Sequence, residues 1–99
     1  MADVDVTLSF AGLEIRPNGR PQPVQVRAGQ TLAWKSDEGD VIISLPDAPL
    51  AGAREFSSAK GKFTAEARVL PNAPLGVFNC KASIGGKAAA KAYGIEIIP

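Results

Sequence analysis

Val4-Asp5-Val6-Thr7-Leu8-Ser9-Phe10 alternates apolar with polar side chains. Successive side chains of a strand point to opposite faces, so the segment predicts a half-buried β-strand with Val4, Val6, Leu8 and Phe10 inward. Outward from it, the chain keeps breaking into short β-type runs. Leu13–Arg16 reads as an extended piece ended by Pro17-Asn18-Gly19, and Pro21 and Pro23 forbid helix just beyond. Val24–Arg27 is extended and Ala28-Gly29 is a turn. Thr31–Lys35 is a strand whose facing stays open, with a bulge or twist as one solution.

The second half repeats the theme. Asp37-Glu38-Gly39-Asp40 is a polar turn, and the β-branched run Val41–Leu45 suits an interior strand. Residues 46–61 form a long loop with room for a short helix, because Leu50 to Lys60 is rich in Ala, Arg and Glu. Thr64–Leu70 alternates again, with Ala65, Ala67 and Val69 on one side. Gly76–Lys81 and Tyr93–Ile98 read as closing strands, and the Gly-Gly-Lys and Ala-rich connection between them has room for another short helix. Trp34, Phe56, Phe63, Phe78 and Tyr93 read as packing residues, with the Tyr93 hydroxyl at the rim.

Ninety-nine residues make one domain, 1–99, with a real core. No apolar run has the length of a membrane helix. Eleven Lys and Arg against ten Asp and Glu leave a formal charge of +1, which draws the chain to neither nucleic acid nor membrane. Residues 1–55 carry five basic and eight acidic side chains, residues 56–99 six and two, a mild asymmetry of −3 against +4. The N-terminus shows no secretory pattern, so the expectation is a cytoplasmic monomer, or a periplasmic one if a signal has been removed. One cysteine allows no internal disulfide.

Seven or eight short strands separated by turns indicate an all-β, antiparallel sandwich with Greek-key connections. Val24 to Trp34, an extended strand, a turn glycine and a strand ending in Trp, resembles a cupredoxin pattern. Leu75-Gly76-Val77-Phe78-Asn79-Cys80 is similar to the cupredoxin stretch that carries the copper thiolate, and Tyr93–Ile97 resembles the closing strand. The resemblance covers Phe10 to the C-terminus and implies a cupredoxin-like fold. The rival, an immunoglobulin-like sandwich, explains Trp34 and Cys80 as core residues, but it lacks its second cysteine and has Phe78 at the tyrosine-corner position.

A blue-copper centre needs two imidazoles and a thiolate, and the chain contains no histidine. On the resemblance, the two imidazoles would fall at Gly39 or Asp40 and near Ser83, and the axial Met near Ala92. Cys80 alone matches. Missing histidine also removes Ser-His-Asp and Cys-His catalysis and imidazole-dependent zinc sites. No metal ligand set and no cofactor are therefore assigned.

Cys80 reads as a buried structural cysteine, with a reactive thiol as the alternative and copper handling, redox sensing or enzyme chemistry as its functions. Asp37, Glu38 and Asp40 do not have the spacing of a calcium loop, and Gly85-Gly86-Lys87 lacks the flanking residues of a phosphate loop. Lys60, Lys62, Lys81, Lys87 and Lys91 make one basic patch for an acidic partner if their loops share an end of the sandwich; otherwise they are solubilising lysines. The leading expectation is a non-enzymatic binding module acting through its end loops on a protein or small-molecule partner.

Overall fold

A computed structural model describes residues 2–99. The strands in chain order are β1 (Val4–Ala11), β2 (Glu14–Pro17), β3 (Val24–Arg27), β4 (Thr31–Lys35), β5 (Val41–Ser44), β6 (Leu50–Ala51), β7 (Glu55–Ser58), β8 (Ala67–Val69), β9 (Gly76–Phe78), β10 (Lys81–Ile84), β11 (Lys87–Ala88), β12 (Lys91–Ala92) and β13 (Ile95–Ile98). They form a six-stranded sheet in the order β12-β2-β1-β4-β8-β6, a four-stranded sheet β11-β10-β5-β7 and a three-stranded sheet β3-β13-β9. Only Asn79 and Cys80 separate β9 from β10, so the two smaller sheets adjoin along one stretch of chain.

The opening alternation holds where it matters: Val6 and Leu8 are buried, and Val4 and Phe10 pack partly against the same core. Trp34 lies at its centre, its ring 5.4 Å from that of Phe56. Strand β4 settles the facing left open by the sequence, because Thr31, Leu32, Ala33 and Trp34 are all buried. Leu32 and Trp34 join the core, while Ala33 is buried on the other side of the strand. Thr64 continues the pairing past β8: its N–H donates to the Trp34 carbonyl at 2.8 Å and its Oγ1 accepts from the Trp34 N–H at 3.2 Å.

Several expectations need correction. The four-stranded sheet is antiparallel throughout, as expected, but the other two are mixed, since β1 pairs β4, β12 pairs β2 and β13 pairs β3 in parallel. Alternation reveals which face is inward but not the direction of the neighbouring strand. No helix forms in 46–61, nor anywhere else among the described residues; β6 and β7 occupy that loop instead. Leu50 and Phe56 are drawn into the core, and this burial outweighs a weak helix propensity. The Ala-rich connection likewise forms β11 and β12. Ala65 is exposed, so the alternating strand shrinks to Ala67–Val69. Phe63, expected to pack inside, is 45% exposed and lies beneath the Lys35 ammonium, 5.6 Å from the ring centroid. No helix among the described residues is long and apolar enough to cross a membrane.

Candidate functional site

Three loops meet at one end because β5 pairs with β7 on one side and β10 on the other, setting Ser58 and Ile84 beside Val41. Asp40, just before Val41, ties the loops together. Its carbonyl accepts from the Gly85 N–H at 2.8 Å, and its Oδ1 accepts from the Lys60 N–H at 2.9 Å. Gly39 fits tightly here, since a Cβ on it would stand 2.9 Å from the Gly85 backbone. Gly85 and Gly86, at φ 61° and 81°, form the two-residue turn between Ile84 and Lys87, where glycine relieves the left-handed strain. This turn is a hairpin, not a phosphate cradle.

The β1–β2 corner belongs to the same end. Glu38 Oε1 accepts from the Phe10 N–H at 2.9 Å, and the Lys87 ammonium stands 4.9 Å from the centre of the Phe10 ring. Leu13, next to this pair, is 66% exposed. Each carboxylate here is exposed yet already engaged: Asp37 pairs with Lys35 at 3.6 Å, Glu38 holds β1 and Asp40 holds the loop of Lys60. Lys60, Lys62 and Lys87 stand on the exposed surface around them. The result is a rim of mixed charge with apolar ground at the exposed Leu13 and Phe63 and the partly buried Phe10.

The five lysines therefore do not form one patch. Lys60, Lys62 and Lys87 share the loop end, but Lys81 lies opposite Ser44 at the far end of β10, and Lys91 lies on β12 opposite Glu14. The Lys91 ammonium stands 4.9 Å from the centre of the Tyr93 ring, and the Tyr93 hydroxyl donates to Glu14 at 3.3 Å, as a rim tyrosine does. Lys81 and Lys91 flank a separate hollow of about 450 Å³ walled by Cys80 and the alanines at 82, 88, 89, 90 and 92. Sequence reasoning missed Leu13 and Phe63 as surface residues. Their adjacency to Gly12 and to the Gly61-Lys62 turn was the available signal.

Cys80 is a free, half-buried thiol in the wall of that hollow, and burial pushes its pKa from 9.0 to about 11. Lys81 faces solvent, as strand alternation requires, and does not offset the desolvation. The positions at which the resemblance puts copper ligands converge only in part: Cys80 and Ala92 wall one hollow, but Gly39 and Asp40 lie at the loop end. Ile84 pairs with Val41 beside Asp40, leaving Cys80 four residues away along β10, about 13 Å at the strand rise. Gly39, Ser83 and Ala92 also lack the nitrogen and sulfur donors such a centre uses, so this set does not fit blue copper. Among the described residues no group of three His, Cys, Asp or Glu side chains is placed to hold a metal ion. The chain matches no family model, no curated protein and no solved structure.

Proposed function

We propose that the chain is a non-enzymatic, cupredoxin-like β-sandwich with Greek-key connections and no blue-copper centre, and that it binds an acidic, partly apolar protein segment through its loop end. The parallel pairing of β2 with β12 and the parallel pairing of β3 with β13 support a topology in which strands from both halves of the chain interleave. One observation carries the binding assignment: Asp40 locks two loops with its own polar atoms, and at this end Lys60, Lys62 and Lys87 stand exposed while Asp37, Glu38 and Asp40 are already engaged by Lys35 or by backbone N–H groups. Rigid loops on a packed scaffold lose little freedom when they bind. Lysines around an apolar centre favour carboxylates set among apolar side chains.

The test is an NMR titration of isotope-labelled protein with a peptide of alternating glutamate and leucine. Saturable shifts in 12–13, 37–40, 59–63 and 85–87, weakened by salt and absent in a Lys60→Glu/Lys62→Glu variant, are the expected result. Shifts spread evenly over the surface, or none, overturn the assignment. Copper handling by Cys80 has a different signature: Cu(I)-dependent shifts centred on residue 80 that vanish in Cys80→Ala.

A further inference from the structure

Six strands border the sheets, and five carry a device against edge-to-edge pairing. Strand β3 bears Arg27, whose N–H donates to Gln30 Oε1 at 2.8 Å. Strands β7, β11 and β12 bear Glu55, Lys87 and Lys91. Strand β6 has two residues, and Arg54 Nη1 donates to its Leu50 carbonyl at 3.0 Å. Strand β9, three residues long, carries no charged side chain. It pairs with β13 on one side, and among the described residues no backbone group bonds its other edge.

The surroundings of β9 reinforce this difference. Val69 to Cys80 is the longest uncharged run of the chain, twelve residues between Arg68 and Lys81. Leu75 and Val77 are 62% and 54% exposed. Gly76, at φ 143°, has open space where a Cβ would stand. We infer that the free edge of β9 pairs with β9 of a second copy of this chain, antiparallel about a two-fold axis through Val77.

The second copy follows from charge and symmetry. A two-fold antiparallel pairing sets the residue on the axis opposite its own copy, and like charges directly opposite each other destabilise a ladder. At β11 or β12, each two residues long, that pairing gathers lysines, and at β3 or β7 it brings the charge of Arg27 or Glu55 into the seam. At β9 it sets Val77 opposite Val77 and Leu75 opposite Asn79, with no charge in the ladder. Pro74, which has no N–H, bounds the ladder at about five residues a side, so the contact is small and the dimer weak. Because β10 carries the chain from β9 to the loop end, the pairing leaves both loop ends uncovered and pointing apart.

Sedimentation velocity of the full chain between about 10 µM and about 1 mM tests this. The expected result is a rise from monomer to dimer, with slower amide exchange in 76–79 at high concentration. Val77→Lys sets two lysines face to face and weakens association about tenfold or more. Leu75→Asp does the same by a different charge, and circular dichroism identifies a variant that has lost its fold. Glu55→Ala, on the β7 edge, leaves the association unchanged. A monomer throughout the range, or a dimer that survives both β9 variants in folded form, overturns the inference.

Discussion

Strands β4 and β9 both carry an aromatic residue in a short apolar run, yet one is the best protected strand of the molecule and the other among the least. Strand β4 lies between β1 and β8, and its first four residues are buried. Strand β9 has one neighbour, an exposed Val77 and a bare edge. Local sequence supplies β propensity to both; position in the sheet decides what each strand contributes. A central strand contributes core, whereas a marginal one contributes surface.

The sharpest way to break the comparison is to hollow out the centre. Trp34→Ala removes the largest fully buried side chain and its contact with Phe56. The expected loss is about 3–5 kcal/mol, read by urea unfolding. A loss below about 1 kcal/mol means β4 is not the organising strand. Gly94→Ala probes the marginal side, because a Cβ there would sit on the Phe78 carbonyl oxygen, which is backbone and cannot swing away. It should cost about 1–3 kcal/mol and expose the β9–β13 ladder to amide exchange before β4 opens. Simultaneous exchange of both strands shows that the margin is as tightly held as the centre.

The smallest effect belongs to Cys80, where β9 gives way to β10. Its thiol titrates at about 11 in the folded chain against an ordinary value of 9.0. Folding therefore favours the protonated form: the contribution is intact below about pH 9 and is lost as pH rises toward about 11. The loss is on the order of 2 kcal/mol. Unfolding curves between pH 8 and pH 11, compared with those of Cys80→Ala, read it directly. At pH 7 the thiolate fraction is about one in ten thousand, so alkylation by a neutral reagent should be slow until the chain unfolds. Rapid reaction of the folded protein restores the redox-sensor reading.

Much of this was legible before any coordinates. Val6 and Leu8 follow the period of two, and they are core because that period expresses burial directly; Val41 and Ile43, in the run read as an interior strand, are core as well, although Ile42 between them is exposed. Partner direction was not legible, since a parallel neighbour such as β13 for β3 is chosen by the path of the whole chain. The short helix for which the 46–61 loop has room does not form, because its Ala and Glu content speaks only for local preference, while Leu50 and Phe56 pair with β8 and β5. Lysine identity was readable and lysine grouping was not. Lys81 and Lys87 are six residues apart, and β10 carries one away from the loop end that the other occupies.

The pairing of β3 with β13 has a consequence for synthesis. Gln25 and Glu96 stand side by side although they are 71 positions apart in the chain. As the polypeptide leaves the ribosome, β3 emerges and waits until Ile95–Ile98 has been made. Long-range closure of this kind slows folding, because chain entropy is lost before any contact repays it. A nascent chain halted anywhere between Arg27 and Ile95 lacks the strand that completes its third sheet, and β3 should remain open to proteases until β13 arrives.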